Sequence, residues 1–457
     1  MKKLSTLVLV LVSTSFIASL SASLSHATEV SFENDKSLPV VYLNVAIKSG
    51  AVSDPANQSG ITNFMGEMLL RGTKLRNKEQ LDLALDQMGA QLEVETRSEA
   101  MIIRGAVLSS QLDNFLALLN EVITQPSFPD REIARLKSEV ISQLLEELGS
   151  DQRLVGRKFT EALFHDHPYG KPVLGKTKSV EKLNHAEIQT HYNKLFNDKQ
   201  LLIVGTGDAD LAKIQGWADT LGKTLTEAHP NSEPPTVVPV PTNPPFRQLL
   251  IIDKPNRTQT QVTAGQVGIR MTDPLFFPLY LGNHAFGGGS FVARMMTEIR
   301  VKRGWSYGAY SYFRNSRQPR SWQFYLFPAE KDTVQALQYS MGMVEDLKAK
   351  GVTQAEYAFA QKSLVNSSGF MYDTPKKRVE NKLLERTLDL PDGFMKTYGP
   401  ELSKVTLDQI NSAMKEFVKP DHMVVVVLGT ADHLKDKLIQ AAGVTPDHVK
   451  VVPYTEE

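Results

Sequence analysis

Apolar residues recur along this chain in two distinct rhythms. Short runs such as "LPVVYLNVAIKSG" (Leu38 to Gly50) and "KQLLIVGTGDAD" (Lys199 to Asp210) are apolar nearly throughout, which predicts strands buried on both faces. Between them, "GITNFMGEMLLRGT" (Gly60 to Thr73) places Ile61, Phe64, Met65, Met68 and Leu69 at helical spacing and predicts a helix over 61–71. A second helix follows in "NKEQLDLALDQMG", then strands in "AQLEVETR" and "AMIIRGAVL", then long helices over 110–124 and 129–148.

The same order returns later in the chain. "RQLLIIDKPNRTQTQVTAGQVGI" opens with strands, and a helix follows "GGGSF" near Phe291. Strands come at "YGAYSYF" and "SWQFYLFPA", helices at 332–349 and 353–368, and the run closes on "HMVVVVLGTADHLKDKL" (His422 to Leu438). The matching ends, VGTGDAD and VLGTADH, predict a duplicated unit rather than two unrelated domains. Strands and helices come in pairs, so the expected class is α+β: two halves, each a mainly antiparallel sheet with helices on one face. Between His229 and Phe246 the chain reads "HPNSEPPTVVPVPTNPPF", too rich in proline for helix or sheet interior. The expected division is a leader at 1–27, a first half at 28–228, a linker at 229–246 and a second half at 247–457.

The leader rests on Lys2 and Lys3, an apolar stretch from Leu7 to Leu20, and Ser25-His26-Ala27 as a cleavage site. Its apolar run is short for a membrane anchor, so cleavage and export to a periplasm are expected. No later segment has the length of a membrane span. The chain carries 51 basic and 51 acidic residues; without Lys2 and Lys3 the balance is 49 − 51 = −2, with no field favouring nucleic acid. Cysteine is absent, which excludes thiol catalysis, disulfides and Cys-ligated zinc.

Candidate chemistry is sparse. "GWSYG" (Gly304 to Gly308) has G-x-S-x-G spacing, but it lies between a helix and a strand, the reverse of a nucleophile elbow, so Ser306 is expected to be a turn serine. "AFGGGSF" lacks the lysine of a phosphate loop, and Gly287, Gly288 and Gly289 are expected to form a flexible, substrate-facing loop. None of the ten histidines lies four residues from another. His165 and His167 suit a polar turn, and His284 a core or loop position.

On the helix of residues 61–71, Asn63 and Glu67 share one face with Gly66 between them. This stretch resembles the zinc-binding helix of the pitrilysin/insulysin metallopeptidases, the inverzincins, whose motif is H-x-x-E-H. Gly60, Phe64, Met68, Leu69, Gly72 and Thr73 fit the motif's surroundings. Asn63 and Glu67 stand at the two histidine positions and Gly66 at the general base. The family's third ligand, a glutamate roughly 75 residues on, falls at Gln143 (143 − 67 = 76). One carboxylate and two amides are a weak set for zinc, and the base that would activate water is missing. No metal is expected in this chain.

"MMTEIRVKRGWSYGAYSYF" (Met295 to Phe313) resembles the family's substrate-side motif, an arginine and a tyrosine seven apart, here Arg300 and Tyr307 (307 − 300 = 7). The resemblance implies that they contact substrate backbone and stabilise an oxyanion, with Arg303 a structural neighbour. It further implies a clamshell-like chamber and a role as the non-zinc subunit of a two-chain peptidase. Its partner would then be a zinc-binding subunit of the same family, and its substrate a peptide or unfolded polypeptide. The alternatives are a non-catalytic peptide-binding or scaffold protein of this fold, and an enzyme with an unrecognised site.

Overall fold

Residues 28–289 and 291–457 are described by a computed structural model. The leader expected at residues 1–27 lies outside them. Two sheets organise the rest. The first contains β1 (Glu29–Asn34), β2 (Val40–Ile47), β3 (Gln91–Thr96), β4 (Met101–Leu108) and β5 (Leu201–Gly207), in the order β1-β5-β2-β4-β3. The second contains β6 (Gln248–Asp253), β7 (Gln261–Val267), β8 (Ser306–Arg314), β9 (Ser321–Pro328), β10 (Val424–Gly429) and β11 (Val449–Pro453). Its order is β11-β6-β10-β7-β9-β8. Leaving out β11, the two orders are one topology: β6 takes the place of β1, β10 of β5, β7 of β2, β9 of β4 and β8 of β3. The pairing directions match as well. β1–β5 and β6–β10 are parallel, while the pairs from β5 to β3 and from β10 to β8 are antiparallel. The duplication seen in the sequence is therefore a duplication of fold.

The sequence predicts helices on one face of each sheet, but the structure places helices on both. Each sheet packs its own half's helices on the outer side, and its inner side receives a helix from the other half. The Asp151–Phe164 helix of the first half lies on β7 and β10, and the Pro375–Thr387 helix of the second lies on β5 and β2. The reason is visible in the strands: β5 and β10 are buried along their whole length, so both of their faces need an apolar cover. Leu154, Val155 and Phe159 supply it against Val424, Val426 and Leu428, and Val379 and Leu383 supply it against Leu202 and Val204. Burying each such side chain contributes roughly 1.5–3 kcal/mol. Phe159 sits so close to β7 that a Cβ on Gly265 would lie 2.8 Å from its ring.

The Lys254 ammonium anchors this crossing. It is 5% exposed, donates to the Leu148 carbonyl at 2.8 Å and pairs with Asp151 at 2.7 Å, joining one helix end to the next helix start. The hairpin tips of the halves also meet. Tyr169 donates its hydroxyl to Glu99 between β3 and β4 (2.9 Å), and Glu99 accepts the Arg317 amide between β8 and β9 (2.9 Å). The proline-rich segment is held rather than free. The Pro239 carbonyl accepts from His167 (2.9 Å), and Asn243 accepts from the Val267 amide (2.7 Å). Among the described residues no helix is long and apolar enough to cross a membrane.

Candidate functional site

The helix that carries Asn63 runs Ile61–Met68 and starts from a capped end. Asp54, 2% exposed, accepts from the Gly60 amide (2.6 Å), the Thr62 amide (3.1 Å) and the Thr62 hydroxyl (2.5 Å). That hydroxyl has only one proton, so it must accept from His191 Nε2, 2.8 Å away. The capped helix buries Phe64, Met65 and Met68 and fixes the direction of the next turn.

The positions of the zinc motif have closed upon themselves. Asn63 donates from Nδ2 to Glu67 Oε1 at 2.9 Å, so the two would-be ligands satisfy each other. Burial raises the Glu67 pKa, while the Asn63 hydrogen bond and the nearby Arg71 guanidinium oppose the rise. Arg71 is itself held by Glu139 at 2.6 Å. A Cβ on Gly66 would point at Met101 Cε and Thr96 Oγ1, each 3.1 Å away, so the space of a general base is filled by β3 and β4. Gln143 is exposed on the Asp130–Gly149 helix, and among the described residues no hydrogen bond joins it to Asn63 or Glu67. Two amides, one carboxylate and an adjacent guanidinium do not suit a zinc dication. Among the described residues, no three His, Asp or Glu side chains converge as a metal site.

Arg300 and Tyr307 do come together. The guanidinium of Arg300 lies 4.3 Å from the centre of the Tyr307 ring and 4.7 Å from that of Phe291. Tyr307 is 73% exposed and Phe291 59%, with Val292 and Val301 also exposed nearby in sequence. A bulge between Ser306 and Ala309 places Tyr307 on the same face of β8 as Tyr310 and Tyr312. Ser306 makes that bulge: it is buried, donates to the Gly308 carbonyl (2.6 Å) and accepts from the Phe327 amide (2.9 Å). It has the surroundings of a structural serine. Arg303 pairs with Glu298 at 2.7 Å and lies over the Tyr339 ring at 3.8 Å, which locks it in place. Lys302 and Arg303 hold the Glu298 pKa down to about 2.

The glycine run departs from the flexible loop expected of it. Residues His284–Gly288 form a π-type turn closed by the Gly289 amide on the His284 carbonyl at 2.8 Å. Gly288 is exposed, but Gly287 and Gly289 are buried. A Cβ on Gly287 would lie 2.5 Å from Ser311 Oγ, so this glycine permits close packing on β8. The helix expected near Phe291 begins later, and Met296–Val301 is itself of π type. His284 is half-buried, with its Nε2 unpartnered and its pKa lowered by burial. His165 pairs with Asp166 at 2.8 Å in an exposed turn, and His167 accepts from the Tyr169 amide at 3.1 Å.

Sequence reasoning overlooked Met101, Thr96, Arg71 and Phe291. Arg71 carried a signal, since it stands four residues after Glu67 on the same helical face. Met101 and Thr96 carried none, because they reach Gly66 only through sheet pairing.

Sequence profiles show the family, and a solved structure shares the fold. The profile described as insulinase (peptidase family M16) matches residues 29–177, and that described as the peptidase M16 inactive domain matches 182–364. A non-peptidase homolog, YmxG of Helicobacter pylori, is 22% identical over 89% of this chain and 93% of its own. An uncharacterized zinc protease of Rickettsia bellii is 26% identical over 60% of this chain and 64% of its own. The crystal structure of a peptidase M16 inactive domain from Pseudomonas fluorescens superimposes with a TM-score of 0.81 at 23% identity. That match covers 88% of this chain and 95% of that one. The chain belongs to the insulinase family of peptidases, as a member whose own zinc motif is lost.

Proposed function

We propose that this chain is the non-zinc subunit of an exported, heterodimeric zinc peptidase, and that it lends Arg300 and Tyr307 to a partner's active site. The observation that carries this reading is the outward position of the pair. Tyr307 is largely exposed, and Arg300 has no ion-pair partner among the described residues. A guanidinium and a phenol held together at a surface are preorganised donors for a carbonyl that becomes negative during peptide hydrolysis. Exposed Phe291, Val292 and Val301 add the apolar contact area that a subunit interface uses. The zinc is expected in the partner, because Asn63, Gly66, Glu67 and Gln143 do not suit it. The substrate is expected to be a peptide or unfolded polypeptide, and the compartment a periplasm.

Reconstitution tests this reading. The chain is mixed with a family member that carries an intact H-x-x-E-H, and peptide hydrolysis is compared for wild type, Arg300→Ala and Tyr307→Phe. A rate that depends on both chains and falls in both variants supports it; unchanged rates remove the assigned role. The second reading, a non-catalytic peptide-binding or scaffold protein, is favoured by a cavity lined by Tyr310, Tyr312 and Tyr325 between the second sheet and the Asp151–Phe164 helix. It predicts peptide affinity with no acceleration of any zinc peptidase.

A further inference from the structure

Two cavities occupy equivalent places in the duplicated fold, and their charges are opposite. The first lies on the inner face of β2, β4 and β3 beside the Pro375–Thr387 helix and has Asp82, Asp86, Glu93 and Glu380 against Arg104 and Lys376. The second, of ≈ 800 Å³, lies on the inner face of β7, β9 and β8 beside the Asp151–Phe164 helix. Its strand wall is Tyr310, Tyr312 and Tyr325, and its cations are Arg153, Arg157, Lys171, Arg314 and Arg320. Two of the first cavity's carboxylates, Asp82 and Asp86, come from the Lys78–Met88 helix; its strands and crossing helix alone are balanced, with Glu93 and Glu380 against Arg104 and Lys376.

The positive charge of the second cavity is not neutralised from within. Its two carboxylates, Glu147 and Glu161, are already engaged: Arg157 pairs with Glu147 (3.3 Å) and Glu161 (2.9 Å), and Lys158 also takes Glu161 (3.0 Å). Among the described residues, Arg153, Lys171, Arg314 and Arg320 form no ion pair. Lys171 is half-buried against the carbonyls of Val52 (3.0 Å) and Asp54 (2.6 Å). Arg320 is held over the Tyr169 ring at 5.0 Å and donates to Ser98 at 2.6 Å. Glu99, behind it, is occupied by Tyr169 and the Arg317 amide. Arg314 stands beside Arg320 with its guanidinium 5.5 Å from the centre of the Tyr312 ring. Arg320 is half-buried while Arg153 and Arg314 are exposed, and none of these guanidinium groups has a carboxylate beside it, which leaves the cavity short of anionic partners.

We infer that this cavity is a peptide-binding groove selective for segments bearing aspartate or glutamate side chains, which Arg314 and Arg153 contact from opposite walls while Tyr310 and Tyr312 pack on the peptide. A cavity of this volume holds a few residues, and carboxylates would give Arg153 and Arg314 the charged partners that they lack. The inference requires neither a zinc-bearing partner nor the role given to Arg300 and Tyr307.

Binding to the isolated mature chain tests it, by fluorescence anisotropy with amidated peptides of one length that are Glu/Asp-rich, Lys/Arg-rich or Gly/Ser-rich. The Glu/Asp-rich peptide is expected to bind about tenfold or more tighter than the others at low salt, with the advantage shrinking as salt is raised. Arg314→Glu and Arg153→Glu, both at exposed positions, should each reduce that preference by about tenfold, with far-UV circular dichroism unchanged. Equal affinity for the three peptides, or a preference that both variants leave intact, overturns the inference. Because hydrolysis is not measured, a failure here is distinct from a failure of the heterodimer reading.

Discussion

The guanidinium of Arg300 lies over the ring of Tyr307, 4.3 Å from its centre, at a surface and not inside a finished active site. Seven residues of sequence bring the two together because a π-type turn ends just before the strand and a bulge rotates Tyr307 outward. If the pair completes a partner's site, Arg300→Ala should lower the reconstituted hydrolysis rate by about 10²-fold or more, the scale of losing an oxyanion donor. Thermal unfolding of the isolated chain should be unchanged within about 0.5 kcal/mol, because neither side chain is in the core.

Position 66 offers a separate test. Gly66→Glu would push a carboxylate against Met101 and Thr96, and should cost about 1–3 kcal/mol in urea unfolding. Met101→Ala should cost less in the Gly66→Glu background than in wild type, because it opens the space the carboxylate needs. Equal stability of Gly66→Glu and wild type would show that the site has not been filled in.

His191 makes the fold sensitive to acid. It is 4% exposed, and burial lowers its pKa from 6.5 to about 4. The folded state therefore favours the neutral ring: the stability it contributes is full above about pH 6.5 and is lost as the pH falls toward 4. Between pH 7.5 and pH 5 the His191 contribution should fall by about 2 kcal/mol, and Asp54, whose pKa burial raises to about 6, offsets part of that loss. His191→Gln keeps a donor for Thr62 and removes the titration, so its urea midpoint should fall less over that interval.

Tyr169 joins the halves at their hairpin tips. Tyr169→Phe leaves Glu99 and the Gln318 amide without that hydroxyl and should destabilise the chain by about 1–3 kcal/mol. Phe159→Ala, which strips the inner face of the second sheet, should cost more, about 3–5 kcal/mol. If the two effects are equal, the crossing helix matters less than its burial implies.

The fold was legible in the sequence wherever local pattern decides structure. The near-continuous apolar runs at Leu201–Gly207 and Val424–Gly429 became the fully buried β5 and β10, and their like endings marked the duplication. What could not be read was contact across the halves. Nothing near Asp151 announces that its helix covers the other half's sheet, because that depends on how two closed units pack. The same holds at the site: Asn63 and Glu67 were legible as a spaced pair, but Met101 meets Gly66 only after β3 pairs with β4. The glycine run misled for a related reason, since close packing on Ser311 and loop freedom use the same residue type.

Co-purification from native cells, with metal analysis of the complex and of the isolated chain, tests the central claim most directly. A second family member carrying H-x-x-E-H is expected in the complex, with zinc in proportion to that member alone and peptidase activity only when both chains are present. Stoichiometric zinc and full peptidase activity in the isolated chain would contradict it.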